Sequence, residues 1–120
     1  TMTCGMAAGN AAYCWGSNQF GQLAATHGDT VCGSGNAKFR CSLVPLAVQP
    51  GAKFASISAG IRHTCAITTV REAYCWGSNE SGQVADFAPT GPTPLRVPGS
   101  LGYTQISAGA THTCAVRLTA

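Results

Sequence analysis

Charged side chains are scarce in this sequence, at 9% of its 120 residues, and long apolar runs are absent. The acidic residues number four, namely Asp29, Glu72, Glu80 and Asp86. They show no pairing that suits general acid–base catalysis. The net charge of +3 comes from scattered lysines and arginines, which lack the clustering of a nucleic-acid-binding surface. No apolar run approaches the roughly 20 residues of a membrane helix, and no signal peptide is visible. We therefore predict neither a nucleic-acid partner nor a membrane span.

Cysteine is abundant by contrast, with seven residues. This density indicates disulfides and an oxidising compartment, so we expect an extracellular or cell-surface location. The alternative is a set of reduced thiols buried in the core. Fifteen glycines and six prolines favour short strands and tight turns over helices. The composition therefore predicts an all-β fold.

One stretch, residues 54–84, organises the chain because parts of it recur on both sides. Its second half resembles residues 3–23, and its first half resembles residues 103–116. Cys4 recurs 61 positions later as Cys65, which recurs 49 positions later as Cys114. Such self-similarity marks a repeat architecture. We predict a first repeat at 1–53 that lacks its first strand, a complete second repeat at 54–102, and the first strands of a third at 103–120.

The complete repeat contains a predicted hairpin, His63 to Gly77, with Cys65 opposite Cys75. Side chains alternate along a strand, so His63, Cys65, Ile67, Ala73 and Cys75 share one face, and Thr64, Ala66, Tyr74 and Trp76 share the other. Both faces are apolar or small, so we expect the sheet to be covered on both sides. Directly opposed cysteines come within disulfide distance. We therefore predict the pairs Cys65–Cys75 and, in the first repeat, Cys4–Cys14.

Two segments between the repeated parts are expected to be surface loops. Residues 24–43 form a polar, glycine-rich insertion, in which Cys32 and Cys41 can close a local loop. The second segment is residues 85–93, in which the proline-rich stretch from Pro89 to Pro94 is expected to be a stiff loop. Surface loops often carry binding, so both are candidate contacts for another protein or a glycan.

Cys114 is left over by these pairings. One interpretation is an intermolecular disulfide. The other is a free buried thiol, or a cysteine whose partner lies outside this sequence.

The remaining candidate chemistry is weak. His63 with Cys65, and His112 with Cys114, repeat the same spacing, but a zinc site needs four converging ligands and Cys65 is assigned to a disulfide. A repeated Cys–His pair without an orienting third residue does not indicate a nucleophile. We predict no catalytic residue, no metal and no cofactor.

The two tryptophans and the candidate glycosylation sites each have a structural and a functional interpretation. Trp15 and Trp76 are either core residues or ligand-stacking platforms, and repetition favours the core. Asn79 begins a glycosylation sequon that coincides with the repeat's own turn. Thr90 and Thr93 lie among prolines and are candidates for O-linked sugar.

The segments ISAGIRHTCAI, AYCWGSNESGQV and PLRV together resemble the repeat of the regulator of chromosome condensation family. The resemblance covers nearly the whole chain apart from residues 24–43, and the cysteine-paired pattern is similar to bacterial, often exported, members. It implies β-propeller blades of four strands, here about two blades with incomplete terminal blades, in a larger or self-assembled propeller or stack. This chain departs from the pattern at Met2, which stands where the repeat has His.

The resemblance and the composition together predict a non-catalytic scaffold that self-associates. Its partners would be copies of itself, joined head to tail so that the last strands of one copy complete the first blade of the next, as a ring or a filament. The alternative is a fragment of a larger propeller that binds a protein or a carbohydrate. Nucleotide exchange and chromatin binding, which the nuclear family member performs, form a third class that two blades and seven cysteines disfavour.

Overall fold

The computed structural model describes residues 2–24, 30–49, 52–79, 91–97 and 102–117. These residues form antiparallel strands arranged in three sheets. The strands are β1 (Met2–Ala7), β2 (Ala11–Ser17), β3 (Thr30–Cys32), β4 (Phe39–Ala47), β5 (Phe54–Ala59), β6 (His63–Thr68), β7 (Ala73–Gly77), β8 (Gly91–Arg96), β9 (Tyr103–Ala108) and β10 (Thr113–Arg117). The prediction of an all-β fold is confirmed.

The second sheet is a complete four-stranded blade in the order β5-β6-β7-β8, and we call it the second blade. Its central hairpin has the predicted register, with Cys65 opposite Cys75 and Thr64 opposite Trp76. The next strand, β8, begins at Gly91 and continues to Arg96, so the last part of the loop expected at 85–93 lies in a strand. Residues 85–90 lie outside the described residues.

The first sheet, which we call the first blade, has the order β1-β2-β4-β3. The strand β1 corresponds to β6, and β2 corresponds to β7. In the second blade β6 is flanked by β5, whereas in the first blade β1 is the edge strand of the described sheet. The fourth strand comes instead from the segment expected to be a surface loop. There Thr30 pairs with Cys41 and Cys32 pairs with Phe39, which makes β3 and the start of β4 a hairpin. The prediction of a loop at 24–43 is therefore wrong for the strand residues 30–32 and 39–43, and residues 25–29 lie outside the described residues.

The third sheet, which we call the third blade, contains β9 and β10 among the described residues. These strands correspond to β5 and β6, so the sheet has the inner half of a blade. One edge of β9 pairs with β10, and the outer edge of β10 has no partner strand within the described part of the chain.

The core lies between the sheets, and each face of the second blade covers a different neighbour. Towards the first blade, Trp76, Ala66 and Phe54 pack with Ala12 and Cys14. Towards the third blade, Cys65 and Cys75 form one buried cluster, and Ile67 and Ala73 another with Tyr103. The two apolar faces deduced from strand alternation are thus both buried, as the sequence predicted.

No helix in the described part of the chain is long and apolar enough to cross a membrane.

Candidate functional site: the blade faces

The contact between the first and second blades is centred on one backbone carbonyl. The oxygen of Gln22 accepts a hydrogen bond of 2.8 Å from Nε1 of Trp76 and another of 2.7 Å from Oγ1 of Thr64. Gln22 follows the Trp-Gly-Ser-Asn turn of the first blade, in which Oδ1 of Asn18 accepts a hydrogen bond of 3.0 Å from the amide of Leu23. The turn therefore presents its carbonyl to the next blade, and both side chains that bind it are fully buried.

The contact between the second and third blades is centred on His63. Its ring nitrogen Nε2 lies 2.8 Å from Oγ1 of Thr113, and Sγ of Cys65 lies 3.6 Å from the same oxygen. Nearby, Oγ of Ser58 accepts a hydrogen bond of 3.0 Å from the amide of Ala108. Polar contacts thus fix the third blade against an otherwise apolar face.

Burial lowers the pKa of His63 below the ordinary value of 6.5, and the charge of His112 acts in the same direction. A hydrogen bond with the backbone of His112 raises the pKa and offsets part of this effect. Since Nδ1 of His63 is buried without a hydrogen-bond partner, protonation of the ring would place an unpaired charge between two blades. Burial between the two blades therefore favours the neutral form of His63.

The same contact recurs one blade earlier with a different residue. Met2 occupies the position of His63, and its Sδ lies 3.1 Å from Oγ1 of Thr64, which corresponds to Thr113. The departure from the family pattern at Met2 thus replaces an imidazole with a thioether, a weak hydrogen-bond acceptor.

Two blade faces remain uncovered among the described residues. In the third blade, Cys114 is exposed and Val116 is 54% exposed, whereas their counterparts Cys65 and Ile67 are fully buried. In the first blade, Trp15 is half-buried, whereas its counterpart Trp76 is fully buried. The first and third blades therefore each have a solvent-exposed face, and the equivalent face of the second blade is covered by a neighbouring blade.

The cysteines expected to pair are bonded in the structure. The disulfides are Cys4–Cys14, Cys32–Cys41 and Cys65–Cys75. Both hairpin disulfides have a Cα–Cα distance of 4.1 Å, as direct opposition in the register requires, and the Cys32–Cys41 distance is 5.9 Å. Cys114 is free and exposed, so the interpretation of a buried free thiol is wrong.

The candidate modification sites lie between residues 79 and 93. Asn79 follows β7 and is half-buried, Thr93 lies within β8, and Thr90 lies outside the described residues. Glycosylation at these three positions stays a prediction. Trp76 lies in the core, as repetition indicated, and does not form a stacking platform.

No group of three or more His, Cys, Asp and Glu side chains is placed to hold a metal ion within the described ranges.

The carbonyl of Gln22 and the role of two glycines were not predicted from the sequence. A Cβ on Gly60 would lie 2.4 Å from the carbonyl oxygen of Gly109 and 2.9 Å from Cε1 of His63. A Cβ on Gly109 would lie 2.4 Å from Cε1 of His112. The signal was present in the sequence, because Gly60 and His63 recur as Gly109 and His112 at the same spacing.

These features define a repeat protein built from β-propeller blades, in which successive blades are joined by polar contacts and an apolar face. The model of the regulator of chromosome condensation (RCC1) repeat matches residues 10–67 and 72–116, and a second model of that repeat matches residues 54–83. The chain belongs to the RCC1 repeat family. The resemblance stated from the sequence is confirmed.

Two curated relatives are similar over 72 residues, or 60% of this chain. The ultraviolet-B receptor UVR8 of Arabidopsis thaliana is 35% identical, and Protein RCC1 of Candida albicans is 33% identical. The matches span 14% and 15% of those relatives, about a seventh of their length.

Solved structures support the fold over 98% of the chain. Prp20p of Saccharomyces cerevisiae, studied for its binding to Gsp1p and histones, superposes with a TM-score of 0.75 at 17% identity over 30% of its chain. Yeast RCC1 (Prp20) bound to Kap60 gives 0.78 at 18% identity over 28%, and human WBSCR16 gives 0.59 at 17% identity over 42%. At these identities the likeness concerns the fold.

Proposed function

We propose that this chain is a non-catalytic scaffold of propeller blades that assembles head to tail with copies of itself. The third blade of one copy completes the first blade of the next. The observation that carries the proposal is the exposure of Val116, whose counterpart Ile67 is 0% exposed beneath the third blade.

The two terminal blades support this proposal because each has what the other lacks. Among the described residues, the first blade has β1, β2 and β4 and no strand in the position of β5, whereas the third blade has β9, which corresponds to β5. Unpaired strand edges and uncovered apolar faces favour association. A contact between two different surfaces of identical chains is heterologous, and repeats as a ring or a filament.

The oxidising location predicted from composition is part of the proposal. Three disulfides are compatible with an extracellular or cell-surface site, where they persist. The scaffold would need no cofactor, because its function is the contact between blades.

The test is the mass of the native protein by size-exclusion chromatography with light scattering, with and without reductant. We expect multiples of the 12.2 kDa chain. Val116→Glu and Trp15→Glu should each reduce the assembled mass, because a charge would be buried in the contact. Val70→Glu is the matched control, since Val70 is also exposed, at 60%, but lies in the turn after β6. A folded wild-type monomer, or equal masses for all variants, would contradict self-association.

A second candidate function is the binding of another protein or a glycan through the segments at 24–43 and 85–93. The observation that favours it is a set of exposed apolar side chains in and beside the first of these segments: Val31, Leu43 and Val44, at 49%, 79% and 59% exposure. Leu43→Ser with Val44→Ser should abolish binding of such a partner and leave the assembled mass unchanged. A glycan array with the wild-type protein distinguishes a carbohydrate from a protein ligand.

A further inference from the structure

We propose that a cleft between the link from β4 to β5 and the second blade binds a neutral saccharide, which stacks on the ring of Tyr74. The cleft has a volume of about 350 Å³ and is lined by Gln49, Ala52, Phe54, Thr68, Tyr74 and Pro94. The first two of these residues belong to the link, and the other four lie in the second blade. The cleft lies within one chain, so the inference is independent of the proposed self-association.

The link that forms one wall of the cleft is fixed at both ends by backbone hydrogen bonds. At its start, the amide of Val48 donates to the carbonyl of Ala12 at 2.9 Å. At its end, the amide of Phe54 donates to the carbonyl of Asn10 at 2.8 Å. The cleft is therefore already formed in the free protein, which reduces the entropic cost of binding a ligand.

Tyr74 supplies the aromatic wall of the cleft. Its side chain packs at the edge of the core cluster between the first two blades and is half-buried. Phe54 is only 3% exposed, so among the described lining residues Tyr74 is the aromatic side chain that a ligand can reach. The face of an aromatic ring carries partial negative charge, which attracts the polarised C–H groups on the flat side of a sugar ring.

Two uncharged side chains in the lining provide hydrogen-bonding groups. Oγ1 of Thr68 accepts a hydrogen bond of 3.1 Å from the amide of Glu72, so the hydrogen of this hydroxyl can be donated to a ligand. Gln49 is exposed, and its side-chain amide has two donor hydrogens and an acceptor oxygen. Sugar hydroxyl groups both donate and accept hydrogen bonds, so they are suitable partners for both side chains.

The charges near the cleft favour a neutral ligand. None of the described lining residues is charged. Arg96 lies opposite Tyr74 in the register and therefore on the same side of the sheet, and its Nε lies 3.0 Å from Oε2 of Glu72. This ion pair has no net charge, so the cleft has little attraction for an ionised ligand.

The size and lining of the cleft favour a saccharide over a peptide. Its volume lies near the lower end of the range of about 300–1,000 Å³ for ligand sites, which suits about one or two sugar rings. Proline-rich peptides dock in grooves lined by aromatic side chains, whereas here one accessible ring stands beside amide and hydroxyl groups. A ligand with a flat apolar side and a rim of hydroxyl groups matches this lining.

The experiment is a screen of the wild-type protein on an array of neutral oligosaccharides, followed by isothermal titration calorimetry with the best binder. We expect saturable binding, weakened roughly tenfold in Tyr74→Leu because the stacking surface is lost. Gln49→Gly should weaken binding roughly three- to tenfold through loss of the amide. Gln49 has a φ of 46°, which glycine adopts readily, so this variant should fold.

Three control variants separate a binding role of Tyr74 from a structural one. Tyr74→Phe keeps the ring and should bind within about threefold of wild type. Tyr13→Leu changes the equivalent tyrosine of the first blade, which is not among the lining residues, and should bind as wild type does. Leu43→Ser with Val44→Ser should also retain binding, because these residues lie outside the cleft.

Three results would overturn the assignment of this site. The first is the absence of saturable binding by folded wild-type protein. The second is equal affinity of wild type and Tyr74→Leu, including the case in which only the Leu43 and Val44 variant loses binding. The third is binding of a proline-rich peptide by a protein that binds no oligosaccharide. Each of these results leaves the assembled mass, and so the proposed self-association, untouched.

Discussion

Nε2 of His63 lies 2.8 Å from Oγ1 of Thr113, and this pair joins the second blade to the third. The ring is fully buried, and its other nitrogen has no hydrogen-bond partner. The interface therefore includes a polar contact that is shielded from water. Several measurable properties depend on it.

Thr113→Val should lower the free energy of unfolding by about 1–3 kcal/mol, because it leaves Nε2 of His63 buried and unpaired. The measurement is urea denaturation at neutral pH. Thr104→Val is the matched control: Oγ1 of Thr104 donates to the carbonyl of Val116 at 3.2 Å in an exposed position, so its loss should cost less than about 0.5 kcal/mol. Equal losses in both variants would contradict the importance of the blade contact.

Acid should destabilise the fold through His63. Its folded-state pKa is lowered chiefly by burial, so the unfolded chain binds the proton more tightly. The contribution of the neutral ring is fully present above the unfolded pKa of about 6.5 and is lost as the pH falls below that value. Urea denaturation between pH 7.5 and 5.5 should show a smaller loss of stability in His63→Gln than in the wild type. Identical pH profiles would show that the pKa of His63 is the same in the folded and unfolded states, and would contradict this prediction.

Gly60→Ala and Gly109→Ala should differ, although the two glycines occupy equivalent positions. At Gly60 the added Cβ meets the backbone oxygen of Gly109 and the buried ring of His63, neither of which can move freely. At Gly109 the added Cβ meets the ring of His112, which is exposed and can rotate away. We expect a loss of about 1–3 kcal/mol for Gly60→Ala. A loss as large for Gly109→Ala would indicate that His112 is held in place, as it would be after assembly.

Trp76→Phe should be more destabilising than Trp15→Phe. The first substitution removes the hydrogen bond from Nε1 to the carbonyl of Gln22 and leaves a small void in the core, and we expect a loss of about 2–4 kcal/mol. Trp15 is half-buried, so its substitution in the monomer should cost about 1 kcal/mol. Thermal unfolding followed by circular dichroism distinguishes the two. If self-association buries Trp15, the gap between the variants should narrow as protein concentration rises.

The sequence was sufficient for the central hairpin because two constraints agreed. Cys65 opposite Cys75 set the register, and the alternation of side chains then assigned each residue to a face. Both faces were apolar, which required a neighbour on each side, and the structure has one on each side. The repeat offsets extended the same reasoning to β1, β2, β9 and β10.

The segment that follows the first turn could not be predicted in the same way. Thr30–Cys32 and Phe39–Leu43 are separated by glycines and polar residues, and this composition is typical of a loop. Their strands form because β4 pairs with β2, a tertiary contact that leaves no periodic signal in such short segments. The pair Cys32 and Cys41 was the available clue, since their spacing is close to that of the two hairpin disulfides.

The hydrogen bond between the Gln22 carbonyl and Trp76 could also not be predicted from the sequence. A backbone acceptor has no side-chain signature, and the residue type at position 22 does not indicate that its oxygen faces another blade. The contact emerges when the blades stack and Trp76 needs an acceptor for its buried indole.

The hairpin disulfides of the first and second blades face the following blade, and Trp76 of the second blade faces the preceding one. The two faces of a blade therefore differ, which gives any assembly of these chains a direction. A copy with Val116→Glu could not bind another copy through its third blade but could still bind one through its first blade. Added in small amounts to wild-type protein, it should join a growing array once and stop further addition at that end. The array would thus be subject to chain termination, with a mean length set by the ratio of blocked to wild-type copies. Copies blocked at Trp15 would terminate the opposite end.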